Sequence, residues 1–261
     1  MNRIEKKFKD LRKKHKKAFI AFITAGYPNL TTTEKLIIEF DRLGVDVLEL
    51  GVPFSDPMAD GQIIQEASQE SLKKGTQLVD IINLVKKARK SVNIPICLMS
   101  YYNPIFCFGE EKFVKKAIEA GVDGVIVPDL PPEEGKSLIK FANKQKLDVI
   151  CFIAPTTSKK RMRYIVGIAK GFIYYVSLTG VTGLRKSLPA DIKNNLKTIK
   201  SLTKKPVCVG FGISNRMQAE ELYKFSDGVI VGSAIVKKIM ENIGKPDLVK
   251  DVVSFVRSLK P

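Results

Sequence analysis

Two carboxylates are the strongest candidates for chemistry in this chain. Glu49 is the one charged residue inside the apolar run 47–51, and Asp56 and Asp60 follow in the next loop. Burial of a carboxylate is costly, and desolvation raises its pKa toward the range useful for proton transfer. No other predicted strand offers a Lys or Arg as an ion-pair partner, which favours a catalytic Glu49. Either Asp could add a second carboxylate or cap the helix predicted from about Gln62.

Histidine and cysteine usage narrows the possible chemistry. The only histidine, His15, lies in a basic run, so a Ser-His-Asp triad and a multi-histidine metal site are excluded. The four cysteines form no CxxC pair, and three of them lie in apolar runs, as expected for thiols of a reducing compartment. We therefore expect a cytoplasmic protein, or a stromal one in a plastid-bearing organism.

Three glycine-rich segments follow predicted strands near the C-terminus. They are Thr179–Gly183, Gly210–Ser214 and Val231–Ala234, the last directly before a helix. Glycine lets backbone N–H groups approach an anion, and a helix N-terminus adds favourable dipoles. The pattern predicts a phosphorylated substrate, with ordinary turn glycines as the alternative.

The elements that must hold these residues alternate along the chain. Eight β-branched runs, at 19–24, 47–51, 94–99, 124–127, 149–154, 172–177, 207–211 and 229–232, are separated by amphipathic helical segments. Such alternation indicates a parallel sheet, and eight units in 261 residues fit a (β/α)8 TIM barrel. A doubly wound open sheet is the alternative. We expect one α/β domain, 1–261, with function at the rim where strands end.

The positive charge is concentrated at the N-terminus. The chain has 44 Lys and Arg against 27 Asp and Glu, a net charge of +17. Within residues 1–17, Ile4, Phe8 and Leu11 follow helical spacing among many lysines, which predicts an extra amphipathic helix with a solvated basic face. The alternative is an arm for nucleic acid or membrane. No binding motif accompanies the basic run, so we expect no nucleic acid and no membrane partner.

Aspartates precede several strands. Asp46, Asp123, Asp148 and Asp227 enter their strands from the N-terminal side, which is the stability face of a barrel. We interpret them as turn formers and not as catalysts.

Several motifs resemble the tryptophan synthase α subunit family. The longest is Glu49–Asp60 (ELGVPFSDPMAD) with Gly61, and others are YYNP at 101–104, PDLP at 128–131, TGVTG at 179–183, VGFGIS at 209–214 and VGSA at 231–234. The likeness runs from about Phe19 to the C-terminus. One departure is Gln62, where the family usually has Pro.

The resemblance implies a lyase that cleaves indole-3-glycerol phosphate to indole and glyceraldehyde 3-phosphate in tryptophan biosynthesis. By resemblance Glu49 transfers protons and Asp60 stabilises the indole cation. Substrate-binding positions carried over from the family are Phe22, Tyr101, Asp129, Ile153, Tyr174, Thr182, Gly183, Phe211, Gly212, Gly232 and Ser233. Tyr174 is chosen over Tyr175 by counting back from the GVTG motif. No metal is implied.

The family also implies a partner, a tryptophan synthase β subunit in an α2β2 heterotetramer, to which indole passes. The pyridoxal phosphate belongs to that partner, so this chain is expected to need no cofactor. Four other functions stay open at this stage: another phosphate-binding barrel enzyme, a Schiff-base aldolase, a regulatory subunit without activity, and a nucleic-acid binder. The strand-borne Glu49, the absence of Lys from strand runs and the retained Asp60 count against the first three.

Overall fold

Eight parallel strands close into a barrel in chain order. The structure is a computed structural model that describes residues 2–176, 190–210 and 212–261. The strands are β1 Ala18–Thr24, β2 Val47–Gly51, β3 Ile96–Met99, β4 Gly124–Ile126, β5 Asp148–Ile153, β6 Ile173–Val176, β7 Val207–Gly210 and β8 Gly228–Val231. The closed barrel confirms the predicted fold class over the open-sheet alternative.

Helices surround the barrel. They are α1 Arg3–Lys13, α2 Leu30–Leu43, α3 Gln62–Lys73, α4 Leu78–Ala88, α5 Tyr102–Phe108, α6 Glu110–Ala120, α7 Lys136–Gln145, α8 Lys159–Ile168, α9 Ala190–Leu202, α10 Arg216–Tyr223, α11 Ser233–Met240 and α12 Leu248–Leu259. Because helices cover the outer face and side chains fill the interior, the strands are apolar on both faces.

The barrel interior is a packed core at its N-terminal end and middle. Strand residues alternate in direction, and the inward-facing set includes Ile20, Val47, Cys97, Ile126, Ile150, Phe172, Tyr174, Cys208 and Ile230. Apolar packing gives way to a charged residue only toward the C-terminal ends, where Glu49 follows Val47 on the same face of β2.

Helix α1 closes the N-terminal end of the barrel. Its buried stripe of Ile4, Phe8 and Leu11 joins the interior cluster, as the helical spacing predicts. The helix is shorter than the expected 1–17: it ends at Lys13, and His15 adopts a left-handed backbone with φ of 53°. The reversal lets the Lys16 N–H bond back to the Leu11 carbonyl, which caps the helix.

The basic face of α1 is partly paired, and not simply solvated. Arg3 and Lys7 lie 3.0 and 3.5 Å from carboxylate oxygens of Asp123 and Asp46. Lys17, just beyond the helix, lies 3.7 Å from Asp227. These pairs tie the N-terminal segment to the base of the barrel.

Three of the aspartates before strands connect neighbouring strands. Each accepts a hydrogen bond from a backbone N–H at the beginning of the preceding strand. The pairs are Asp46 with Phe19, Asp123 with Ile96 and Asp227 with Val207, at 2.9 to 3.0 Å. Asp148 differs, since its buried Oδ2 has no hydrogen-bond partner within the described ranges. The turn-forming role expected for these residues thus becomes a specific backbone contact at three positions.

Candidate active site

Glu49 lies in the middle of β2, with its side chain inside the barrel. It pairs in register with Phe22 on β1 and Cys97 on β3, and it is fully buried. Among the residues that the structure describes, neither carboxyl oxygen has a hydrogen-bond partner. Burial raises the pKa of Glu49 from 4.5 to about 8, so the group is protonated at neutral pH. A buried acid of this kind can donate a proton and then act as a base.

Asp60 lies at the end of the loop after β2. The Tyr101 hydroxyl accepts the Ala59 N–H at 2.9 Å and is also hydrogen-bonded to the Asp60 carboxylate. Gln65 donates to the Asp60 backbone carbonyl at 2.9 Å, which fixes the loop to α3. Burial raises the pKa of Asp60, although the Tyr101 hydrogen bond opposes that shift. The loop thus holds a second carboxylate against the strand ends.

The loop is also held by an aromatic contact. The Phe54 ring stacks on Tyr101, with centroids 5.2 Å apart. Tyr101 therefore fixes the loop at two points, residue 54 and residue 59.

A narrow cleft lies beside Asp60 and Tyr101 at the C-terminal ends of β1 to β4. Asp60 and Tyr101 line it together with Phe22, Gly51, Met99 and Pro128. A Cβ at Gly51 would come within 2.5 Å of the Phe22 ring, so the glycine leaves the space that this ring occupies beside the cleft. Phe22, Tyr101 and Asp60 are thus brought together as predicted site residues.

The predicted anion site lies at the start of α11. Gly232 precedes the helix, and Ser233 is its first residue, so backbone N–H groups there are free of intrahelical partners. Gly212, after β7, has a φ of 55°, a conformation that favours glycine, and a Cβ there would meet no atom of the described residues within 4 Å.

The two tyrosines of β6 point in opposite directions. Tyr174 lies in the interior cluster, and burial, followed by the nearby Glu49, raises its pKa well above the usual range. The Tyr175 hydroxyl instead accepts a hydrogen bond from Asn195 on α9 at 3.1 Å. The structure therefore turns the predicted Tyr174 toward Glu49.

Ile153 is not placed with the interior residues. It is fully buried in the outer core, between the sheet and the helices. Phe152 occupies the inward position instead, with its ring centroid 4.7 Å from that of Tyr174. The alternation of β5 from Ile150 onward is the sequence signal that could have identified Phe152.

Asp129 contacts the protein and not the open cleft. Its carboxylate accepts the Tyr102 N–H at 2.9 and 3.2 Å, at the first residue of α5. The residue thereby links the loop after β4 to the helix that follows Tyr101.

Thr24 is a polar residue of β1 that the sequence did not single out. It lies two residues after Phe22, and its buried hydroxyl has no hydrogen-bond partner in the described part of the chain. A buried, unpaired hydroxyl at a strand end can bind a substrate oxygen.

The remaining predicted residues lie outside the described part of the chain. They are Thr182, Gly183 and Phe211. Among the described residues, no group of three or more His, Cys, Asp or Glu could hold a metal ion. Within that same part of the chain, every helix is too short or too polar to cross a membrane.

Comparison with known proteins agrees with this geometry. The family model described as tryptophan synthase alpha chain matches residues 8–260. The tryptophan synthase alpha chain of Thermoanaerobacter sp. (strain X514) is 46% identical over 260 residues, covering 100% of this chain and 99% of the relative. That of Geotalea uraniireducens (strain Rf4) is 48% identical, covering 100% of this chain and 97% of the relative.

Solved structures give the same result. The tryptophan synthase subunit alpha from Legionella pneumophila str. Paris has a TM-score of 0.92 at 39% identity, covering 99% of this chain and 97% of that one. A chain from the tryptophan synthase a2b2 complex of Pyrococcus furiosus has a TM-score of 0.87 at 37% identity, covering 93% and 97%. The motif resemblance is confirmed over nearly the whole length, and the chain belongs to the tryptophan synthase alpha chain family.

Proposed function

We propose that this chain cleaves indole-3-glycerol phosphate to indole and glyceraldehyde 3-phosphate, with Glu49 as the proton-transfer group. The observation that carries the proposal is the fully buried Glu49 carboxyl, whose oxygens have no hydrogen-bond partner in the described part of the chain. An ion-paired structural carboxylate would have its partner in the fold, whereas a group that serves a substrate is left free for it.

The reaction needs one proton added and one removed. Protonation of indole C3 by Glu49 makes an indoleninium, which can accept the electron pair of the C3–C bond. Loss of the glycerol hydroxyl proton to the resulting Glu49 carboxylate lets the neighbouring carbon become an aldehyde as that bond breaks. The pKa of about 8 keeps Glu49 protonated for the first step at neutral pH.

Asp60 stabilises the charge that develops on the indole ring. Its carboxylate accepts the indole N–H, which becomes more acidic as C3 is protonated, so the interaction strengthens in the transition state. Tyr101 orients Asp60 through their hydrogen bond. Nothing in these steps calls for a cofactor.

The phosphate binds at the glycine-rich loops after the last strands. Gly212, Gly232 and Ser233 supply backbone N–H groups and the start of α11, and Gly183 completes the set. Phe22 and Tyr174 bound the indole, together with Phe211. Phe152 takes the wall position expected for Ile153, and Thr24 is a further donor for the glycerol oxygens.

Asp129 positions α5 beside the glycerol end of the substrate through its hydrogen bonds to Tyr102. Thr182, outside the described residues, is assigned to substrate binding by family resemblance alone.

The chain works with a β subunit in an α2β2 complex, as the Pyrococcus furiosus relative does by its description. Met58, in the loop after β2, and Phe106, on α5, are 82% and 65% exposed. Apolar side chains this exposed beside the candidate site fit a protein partner that receives indole. Any pyridoxal phosphate belongs to that partner, and the cytoplasmic location stays a prediction.

The test is release of indole from indole-3-glycerol phosphate, with and without a cognate β subunit. The purified chain is expected to release indole slowly and the complex faster. Glu49→Gln should abolish release while substrate still binds, and Asp60→Asn should lower kcat by about a hundredfold. Retained turnover in Glu49→Gln would contradict the role of Glu49, and unchanged substrate affinity in Gly212→Asp would contradict the phosphate site.

A further inference from the structure

A second cavity lies outside the barrel, behind the loop that follows β4. Helix α7 packs on α6, and α8 packs on α9, but α7 and α8 hardly contact each other. The gap between them opens onto the outer face of β5. The resulting cavity has a volume of about 230 Å³.

The walls of this cavity, which we call the α7–α8 cavity, are mainly apolar. They come from both helices, from β5 and from the loop after β4, and include Leu130, Leu138, Ile139, Val149, Cys151 and Ile165. An apolar cavity of about 150 Å³ is enough to hold benzene. The α7–α8 cavity therefore has room for a ring system somewhat larger than benzene.

The polar groups at its edge already have partners. Arg161 donates to the Glu133 carboxylate through both terminal guanidinium nitrogens, and the Nη2–Oε2 distance is 2.9 Å. Thr157 accepts the Ala154 N–H at 3.0 Å, and Asp129 accepts the Tyr102 N–H. Arg161 is already held by Glu133, and the Asp129 carboxylate is already held by the N–H at the start of α5. A charged ligand would therefore lose its hydration for little gain, and a neutral ligand is favoured.

The cavity is separate from the catalytic cleft but shares a wall with it. Pro128 lines both spaces, with the cleft on its Tyr101 side and the α7–α8 cavity on its Leu138 side. A ligand in the cavity therefore does not need to enter the barrel.

We propose that the α7–α8 cavity is a binding site for a neutral aromatic molecule of one or two fused rings, distinct from the substrate site. A rigid ring system is favoured over an aliphatic chain of equal volume, because it loses few internal rotations on binding. Indole is a suitable probe because the chain contains no Trp, so bound indole can be followed by its fluorescence.

The cysteines of the chain allow the site to be located. Cys151 lines the α7–α8 cavity, Cys208 lies inside the barrel near Glu49, and Cys107 is exposed on α5. Labelling by methyl methanethiosulfonate, followed at each cysteine by mass spectrometry, should slow at Cys151 by about tenfold when indole is at ten times its dissociation constant. Cys107 serves as the internal control and should label at an unchanged rate. Equal labelling of Cys151 with and without indole would overturn the proposal.

Cavity-filling variants separate this site from the catalytic cleft. Cys151→Phe should lower the number of indole molecules bound per chain by about one, and Cys107→Phe should leave it unchanged. Ile139→Phe, at the half-buried outer wall, is the second filling variant if Cys151→Phe does not fold. Unchanged indole stoichiometry in a folded filling variant would overturn the proposal, whatever the outcome of the indole-release test.

Discussion

The Tyr101 hydroxyl lies 2.9 Å from the backbone nitrogen of Ala59, and this contact fixes the loop that carries Asp60. The tyrosine precedes α5, whereas the loop follows β2, so the hydrogen bond joins neighbouring parts of the barrel rim. The loop that carries the Asp60 carboxylate is thereby held by a residue from another strand-to-helix connection.

We expect Tyr101→Phe to lower kcat by about tenfold, because Asp60 loses its orienting hydrogen bond and the loop loses its anchor. Steady-state indole release measures the effect. Tyr102→Phe is the matched control, since the Tyr102 hydroxyl donates to Glu110 at 3.0 Å, away from Asp60. Equal losses in the two variants would show that Tyr101 does not position Asp60.

Glu49→Gln is expected to stabilise the fold at high pH. The folded-state pKa of about 8 lies above the ordinary value of 4.5, so the folded chain holds its proton more tightly. The stability this gives is fully present below pH 4.5 and is lost as pH rises through 8. The free energy of unfolding of the variant should therefore exceed that of the original chain by about 2–4 kcal/mol at high pH.

Urea unfolding across this pH range checks the prediction. The difference between the two chains should nearly vanish at about pH 4, where Glu49 is protonated in both states. A difference that does not depend on pH would contradict a buried, titrating Glu49.

Asp148→Asn should also stabilise the chain near neutral pH. Burial raises the pKa of Asp148 from 3.8 to about 6. The folded chain therefore loses stability as pH rises through 6, because the buried carboxyl loses its proton. The amide side chain of the variant does not ionise and avoids that loss. We expect a gain of about 1–3 kcal/mol at neutral pH. Thermal unfolding at about pH 4 and pH 7.5 is the measurement, with the gain confined to the higher pH.

Asp123→Asn provides the contrast for Asp148. Asp123 is paired with Arg89 at 2.7 Å and with Arg3 at 3.0 Å, and it accepts the Ile96 N–H. The substitution leaves the buried Arg89 without its ion-pair carboxylate, so the free energy of unfolding should fall by about 3–5 kcal/mol. If both substitutions changed the free energy of unfolding in the same direction, Asp123 would not be stabilised by its ion pairs as described.

Gly210→Ala should impair both folding and turnover. A Cβ at this position would lie 2.7 Å from the Tyr174 ring, which is held inside the barrel. Moving that ring disturbs the space beside Glu49, and overpacking of this kind costs about 1–3 kcal/mol. Thermal unfolding and indole release should both decline.

Gly167→Ala is the matched glycine control. Gly167 lies in α8, and a Cβ there would meet no atom within 4 Å, so the change should be neutral or stabilising by up to about 1 kcal/mol. Normal turnover in Gly210→Ala would show that Tyr174 moves without consequence for the site.

Some local structure depends on tertiary contacts that periodicity does not show. The segment Tyr102–Phe108 contains Pro104 and lacks a clear helical period, yet it forms α5, capped by the Asp129 carboxylate from another loop. At α5 a contact between distant residues thus outweighs the local pattern. Helix α1 ends four residues before the predicted boundary for a local reason, because His15 reverses the backbone.

The sequence by itself determined the barrel, the placement of a charged Glu49 in an apolar strand and the glycine-rich ends of the last strands. These follow from periodicity, composition and order along the chain, which local physics controls. Only the tertiary structure decided that neither Glu49 oxygen has a partner among the described residues, and that Asp46, Asp123 and Asp227 bind backbone N–H groups whereas the buried Asp148 Oδ2 is left without a partner there. The physical reason is that desolvation and pairing depend on which distant side chains meet inside the closed barrel, and the order of residues alone does not specify those meetings.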